Sequence, residues 1–419
     1  MNTVVIVVIA LVGLKWASQL WLEQINRLHV QAHSSDVPEA FKQVITPEAY
    51  AKSVEYTLVK GLFHQLELSF NCVVLLVVLF SGVLPWIFHW FNTRFGGSPW
   101  SMAAFLLTIS IGLSLPGLPL DWHEQFRIED RFGFNTSTQK TWWMDRLKGL
   151  LLGVLLGYPM LLLLLKLVGW TGRWWWLWGW AALMAFQFLM LLLAPVLIMP
   201  LFNKFTPLPE GTLRERLLRL AGQTKFHARS IQVMDGSKRS RHSNAFFTGF
   251  GSFRKIVLFD TLIQQLAEPE LEAVLAHEIG HYKKKHIPKM LIASAIGSLV
   301  GFYLLSLLSS QAWFYQAFGF PFGSPLDNKA PAFLLFALLS GVATFWLSPL
   351  AHWWSRRYEY QADAFAAQTM NETAPMIWAL RKLNEKNLSN LTPHPVYSGF
   401  YYSHPTLLER EQALLRSVS

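Results

Sequence analysis

The chain has a single cysteine in 419 residues, Cys72, and it lies inside an apolar run. That excludes a disulfide framework and any zinc site built from several thiolates. Charge is scarce as well, at 15% of the residues, and acidic charge scarcest: 26 Asp and Glu stand against 36 Lys and Arg, a formal charge of +10. There is no internal repeat and no low-complexity linker. The first apolar run lacks a basic leader and a convincing small-residue cleavage site, so it reads as a retained helix rather than a signal peptide. The closing residues Leu415-Arg416-Ser417-Val418-Ser419 carry no lipidation motif.

Apolar length is what the chain has in quantity, at 52% hydrophobic residues. Seven runs approach the ~20 residues that a helix needs to cross a bilayer. They are about Val4 to Leu20, Ser69 to Trp90, Met102 to Leu120, Leu147 to Val168, Trp176 to Met199, Met290 to Ser310 and Ala332 to Leu350. The third is the weakest, because Pro116 and Pro119 fall near its end. Several of the 19 tryptophans cluster where runs end, at Trp86 and Trp90, Trp142 and Trp143, Trp174 to Trp176, and Trp353 and Trp354. Aromatic belts at the headgroup level have this distribution. The chain reads as a polytopic, mainly α membrane protein in contact with lipid. Its positive charge then belongs to cytoplasmic loops and calls for no nucleic-acid partner.

The basic residues alternate between segments. Arg27, Lys42, Lys52 and Lys60 precede the second run, and only Arg94 follows it. Arg127, Arg131, Lys140, Arg146 and Lys148 precede or open the fourth run, and only Arg173 follows it. The stretch from Pro200 to Lys289 holds fifteen Lys or Arg, the next loop only Lys329, and the tail seven, from Arg356 to Arg416. The positive-inside rule puts the N-terminus outside and the C-terminus in the cytoplasm. The resulting division is 1–199 for the first five spans, 200–289 for a cytoplasmic catalytic segment, 290–350 for the last two spans, and 351–419 for a cytoplasmic tail. The sequons Asn135-Thr136-Ser137 and Asn390-Leu391-Thr392 fall on the cytoplasmic side and carry no weight.

Chemistry concentrates in Glu268-Pro269-Glu270-Leu271-Glu272-Ala273-Val274-Leu275-Ala276-His277-Glu278-Ile279-Gly280-His281. Pro269 among acids marks a helix start. Leu271, Val274, Leu275 and Ile279 keep helical spacing, so His277 and His281 stand one turn apart on one face. Two such imidazoles can hold one zinc ion, with Glu278 beside the reacting water as general base. A catalytic zinc takes three protein ligands and keeps one position open. The histidines immediately precede the sixth run and Glu359 follows the seventh. Two antiparallel spans therefore return Glu359 to the same membrane face. Asp363, one turn further on, is spaced to accept the outer N–H of a liganding histidine. The competing reading of Glu359 is a solvated partner for Arg356 or Arg357. His286, in the run Lys283-Lys284-Lys285, reads as an interfacial residue rather than a ligand.

Further segments carry a resemblance. They are Ile128-Glu129-Asp130-Arg131-Phe132-Gly133-Phe134-Asn135, Met199 to Leu208, His242 to Phe250, the His-Glu-x-x-His helix, Glu359-Tyr360-Gln361-Ala362-Asp363-Ala364-Phe365, and Ser403-His404-Pro405-Thr406 with Glu409-Arg410. In this order, over about residues 1–415, the chain resembles the type I CAAX prenyl endopeptidases. These are membrane zinc proteases that process isoprenylated proteins and the yeast a-factor precursor. The resemblance implies seven transmembrane helices enclosing a chamber, a zincin-like metalloprotease domain with a small β element, one Zn2+ per chain, and a peptide or prenylated peptide substrate. It implies that Asn244, Ala245 and Phe246 sit on an edge strand that binds substrate, because an open edge can take a peptide by strand addition. It further implies that His404 lies at the active site, where it can donate to the developing oxyanion; Arg410 is expected to support the charge network. The chain lacks a large extra insertion, which leaves a bacterial inner membrane or an endoplasmic reticulum equally open.

Two other functions fit part of the pattern. A quality-control protease for damaged membrane proteins would share the catalytic core without a prenyl requirement. A transporter or scaffold retaining a zinc site would not need Glu278, since a structural zinc closes its fourth position.

The charge alternation makes a direct prediction. In a Cys72→Ser background, single cysteines replacing Lys52, Lys140, Lys238, Lys382 and Lys329 are exposed to an impermeant thiol reagent on intact cells. Only the position-329 cysteine should be labelled. Labelling at position 238 would reverse the assigned orientation.

Overall fold

The computed structural model describes residues 2–226, 230–248, 255–322 and 329–416. Gly249, Phe250 and the three final residues named above lie outside the described residues. The N-terminal half is a succession of helices: α1 (Thr3–Ala32), α2 (Pro47–Phe80), α3 (Val83–Phe95), α4 (Pro99–Ser114), α5 (Gln139–Trp170) and α6 (Trp175–Leu193). Local chemistry starts them. The side chains of Thr46, Ser98 and Thr138 accept from the backbone N–H three residues on, and Pro47 and Pro99 occupy the first turns of α2 and α4.

Among the described residues, six helical stretches are long and apolar enough to cross a membrane, or seven when the pair Pro99–Ser114 and Leu118–Phe132, bent by 42°, counts as one span. The third run is thus the bent one, where Gly and Pro predominate. The second run needs correction. Its apolar stretch crosses a break at Gly82, whose φ of 81° is left-handed, so the spanning helix ends at Phe80 and α3 is a separate element. Hydropathy continues through the break, so it could not reveal it.

After the small sheet described below, the chain returns to the membrane as α9 (His286–Leu308) and α10 (Ala330–Thr344). The membrane helices close a ring: α1 touches α2, and contacts pass on through α3, α4, α5, α6, α9 and α10 back to α1. The ring is hollow. The most apolar stretches of α1, α2 and α9 are only 6% buried, and that of Gly172–Phe202 is not buried at all. Helices packed as a solid bundle would each bury a stripe. One end is plugged by an apolar cluster that includes Phe88, Phe105, Phe320 and Leu335. Toward the other end the interior is polar: Glu23, Lys60, His64 and Glu124 line a cavity of about 520 Å³. Charged side chains on spanning helices face such interiors because lipid cannot solvate them.

A second, smaller body sits at the polar end, where its His242, Asn387 and Tyr402 join the cavity lining. Four strands, β1 (Phe205–Pro207), β2 (Ser230–Met234), β3 (Ala245–Thr248) and β4 (Lys255–Phe259), form a sheet of order β1-β2-β4-β3. The β2–β4 pair is parallel and the other two are antiparallel, so β3 is an edge strand. Around the sheet lie α7 (Thr212–Gln223), α8 (Glu268–Lys283), α11 (Ser348–Met370), α12 (Ala374–Lys386) and α13 (Leu407–Arg416). Leu271, Leu275 and Ile279 of α8 share one core with Leu217 and Leu220 of α7 and with Ile256 and Leu258 of β4. The carboxylate of Glu270 caps α8 by accepting from Ala267 N–H at 2.8 Å, and it pairs with Lys382 of α12.

Helices α8 and α11 come into close contact at Gly280. A Cβ there would lie 3.0 Å from Ala362 Cα and 3.1 Å from its carbonyl oxygen. Gly280→Ala should therefore destabilise the protein by roughly 1–3 kcal/mol, the usual range for overpacking. Gly297→Ala on α9, where a Cβ meets nothing within 4 Å, should be neutral or slightly stabilising, as for Ala replacing Gly in a helix. Thermal unfolding of the detergent-solubilised variants measures the difference; equal melting temperatures would contradict the close crossing.

Candidate active site

Helix α8 begins at Glu268 with Pro269 in its first turn, as the sequence implied. Its last two turns carry His277 and His281 toward α11. Glu359 of α11 meets both with one oxygen each: Oε2 is 3.4 Å from His277 Nε2, and Oε1 is 3.3 Å from His281 Nε2. These three residues are a group able to hold a metal ion, with donor atoms all within 4.8 Å of one another. Glu359 is 4% exposed, which makes the arrangement costly unless a cation joins it.

The outer atoms are equally ordered. His277 Nδ1 lies 2.8 Å from Asp363 Oδ1, so its proton belongs on Nδ1 and its Nε2 lone pair faces Glu359. Arg410 of α13 donates to both oxygens of Asp363, at 2.8 and 2.6 Å, and stands 3.9 Å from Glu359 Oε2. Arg410 and Asp363 are both buried. His404 Nε2 approaches Glu359 Oε1 to 3.5 Å from the exposed side.

The residues fit a bound cation. Glu359 Oε2 is buried without a hydrogen-bond donor. The Nε2 atoms of His277 and His281 are 3.1 Å apart, so two lone pairs directed there oppose one another unless positive charge lies between. Burial disfavours a charged His277, yet its hydrogen bond to Asp363 and the nearby Glu359 carboxylate outweigh burial and lift its pKa to about 9. A proton thus supplies the charge when a metal does not, and a metal displaces it. Glu278, next to His277, belongs to no metal-holding group among the described residues. Burial raises its pKa above the ordinary carboxylate range, against the pull of the neighbouring histidines.

The edge strand lies against α8. Ala245 is buried in the core shared with α8, and Phe247, two residues on, packs against the same core. Asn244 and Phe246 alternate to the other face. Ala245 can therefore meet a peptide only through its backbone. Asn244 Oδ1 accepts from Ala245 N–H at 2.8 Å.

His286, read as interfacial, opens the spanning helix α9, and its side chain is packed inside the protein. It is 1% exposed, its Nδ1 is 3.0 Å from His281 Nδ1, and its ring stacks on Tyr358 with centroids 4.0 Å apart. No periodicity could have found it, because α8 ends at Lys283 and a new helix begins at His286 after a left-handed residue, Lys285 (φ 57°). Gln361 and the spacer pair Gly280 and Ala362 were likewise unassigned by sequence reasoning.

Fold and site together define a multi-span integral membrane metalloendopeptidase, a hydrolase acting on peptide bonds. Two family profiles divide the chain: "CAAX prenyl protease N-terminal, five membrane helices" over residues 26–204, and "Peptidase family M48" over residues 207–418. Among curated proteins it is similar to CAAX prenyl protease 1 homolog of Arabidopsis thaliana, 36% identical with 90% of each chain covered. It is also similar to CAAX prenyl protease 1 of Saccharomyces cerevisiae, 35% identical over 93% of this chain and 90% of that one. The crystal structure of S. mikatae Ste24p superposes with a TM-score of 0.91 at 33% identity, covering 99% of both chains. The chain belongs to peptidase family M48, in its type I CAAX prenyl endopeptidase branch.

The geometry separates two carboxylates that both follow the seventh apolar run. Glu359→Ala should strip the metal from the purified protein, whereas Glu372→Ala, exposed at the end of α11, should keep it. Elemental analysis of both variants tests this, and equal metal content would remove Glu359 from the site.

Proposed function

We propose that the chain is a zinc endopeptidase that cleaves near the C-terminus of isoprenylated CAAX-type proteins, with one Zn2+ held by His277, His281 and Glu359. The observation that carries this reading is the metal-holding group at the polar mouth of a hollow ring of membrane helices. It stands beside near full-length similarity to proteins named CAAX prenyl proteases. A lipid-modified peptide needs both environments at once. Each prenyl methylene kept from water contributes about 0.8 kcal/mol, so an apolar compartment beside the site would concentrate the peptide there.

When bound, zinc would act as a Lewis acid, polarising the scissile carbonyl and making water more acidic. The chain's own residues do the rest. The open edge of β3 takes the peptide as an added strand, with the backbone of Ala245 and the side chains of Asn244 and Phe246 setting its register. Glu278 takes the proton of the attacking water and delivers it to the leaving amine; its raised pKa suits a group that must do both near neutral pH. His404, on the exposed side of Glu359, donates to the oxyanion as it develops. Asp363 holds the tautomer of His277, and Arg410 holds Asp363. The basic segments favour a cytoplasmic site, built from residues 200–289 and 351–419 around the hairpin 290–350.

Two measurements test the reading. Glu278→Gln should retain zinc and lose at least about 100-fold in hydrolysis, the lower range for removing a general base; full activity would end its assigned role. Mass spectrometry of a farnesylated CAAX peptide and its unprenylated twin should show cleavage of the first well ahead of the second. Equal cleavage would instead indicate a membrane protease without a prenyl requirement.

A further inference from the structure

The two histidines facing Glu359 are oriented by different means. His277 leans on a carboxylate, Asp363, backed by a guanidinium. His281 leans on a second, neutral-type partner: His286 Nδ1 lies 3.0 Å from His281 Nδ1, and His286 Nε2 lies 2.9 Å from Gln361 Oε1. We infer that His286 is a positioning residue for the metal centre: a buried acceptor that fixes the tautomer and ring angle of His281, itself held by Gln361 and Tyr358. The inference rests on the zinc reading above.

With His281 Nε2 kept free for the metal, one proton assignment satisfies both contacts of His286. His281 turns Nε2 toward Glu359, so a lone pair on that atom requires its proton on Nδ1. That N–H donates to His286 Nδ1, which must then be bare. The proton of His286 is left on Nε2, where it donates to Gln361 Oε1. The relay ends on an amide, which accepts this bond without bringing another charge into the site.

The fold builds this contact deliberately. Lys285 adopts the left-handed conformation, which is unfavourable for a residue with a side chain. This turn breaks α8 from α9 and brings His286 back against His281. Helix α11 supplies the other side. Tyr358 and Gln361 are three residues apart and so share a face. Tyr358 stacks flat on the His286 ring, at an interplanar angle of 11°. One helix thus presents the Glu359 carboxylate, orients His277 through Asp363, and orients His281 through Gln361 and His286.

The test measures zinc affinity of the full-length protein in detergent, by competition with a chromophoric chelator, together with the visible spectrum of the cobalt-substituted form. His286→Phe keeps a flat ring against Tyr358 and removes both nitrogens. It should bind zinc about 10–100-fold more weakly, the usual loss for a group that orients a ligand, with a shifted cobalt spectrum. His286→Asn returns an acceptor near the Nδ1 position and should recover most of the affinity. Gln361→Met, which leaves His286 in place, should show a smaller loss in the same direction, and it carries the test if His286→Phe does not fold. Unchanged affinity in His286→Phe, or in Gln361→Met where that variant carries the test, would overturn the assignment. So would an Asn variant as weak as the Phe variant, which would reduce His286 to packing. A wild-type chain that takes no zinc under these conditions would overturn the zinc reading as well.

Discussion

The crossing of α8 and α11 at Gly280 and Ala362 is the constraint on which the rest of the structure depends. Gly280 stands three residues after His277 and one before His281; Ala362 stands three after Glu359 and one before Asp363. The two helices therefore meet through their smallest side chains, with a polar pair on each side of the contact. A Cβ at position 280 would already press on the backbone of α11 at 3.0 Å. A larger side chain at either position would push the two helices apart and draw Glu359 away from the imidazoles. The small pair converts helix packing into ligand geometry.

Charge balance is the second condition. Glu278, Glu359 and Asp363 converge in a space that holds one guanidinium, Arg410. Buried carboxylates in that number need compensation. The protein provides part of it from α13, whose own position is fixed by the paired hydrogen bonds of Arg381 to Glu411 at 2.7 and 2.9 Å. The remainder comes from a proton on His277 or from a metal ion. The same arithmetic explains why a residue from the tail, Arg410, is as closely tied to the site as the histidines themselves.

The membrane portion sets where this chemistry happens. Because only two residues separate the end of α8 from the start of α9, and α11 continues from α10 through a short 3-10 turn, the metal-holding group is suspended directly at the ends of two spans. The ring of helices leaves a hollow beside it, plugged by aromatics at the far end and polar at the near one. The cavity lining joins residues of both bodies, Glu23 and Lys60 from the spanning helices and His242 and Tyr402 from the body that carries the metal-holding group.

Sequence alone determined a great deal of this. Apolar length gave the spans, because the bilayer tests each segment independently of its neighbours. His277 and His281 were legible as a metal-holding pair because they sit one turn apart on one helix, and Glu359 as their companion because two antiparallel spans have predictable ends. The ordered motifs carried the family. What sequence could not supply were relations between elements whose approach no periodicity encodes. Gly82 interrupts an apolar run that hydropathy reads as continuous. Ala245 turns out to face the core, since strand parity is set by what packs behind the sheet. His286 lies beyond a left-handed turn at Lys285, so its distance along the chain says nothing about its angle in space; among basic residues it resembled a boundary side chain, and only the packing of α11 against it brought it to His281. Helical spacing records what one element does with itself, whereas the meeting of Gly280 with Ala362 and of His286 with Tyr358 is decided by the packing energy of the whole fold.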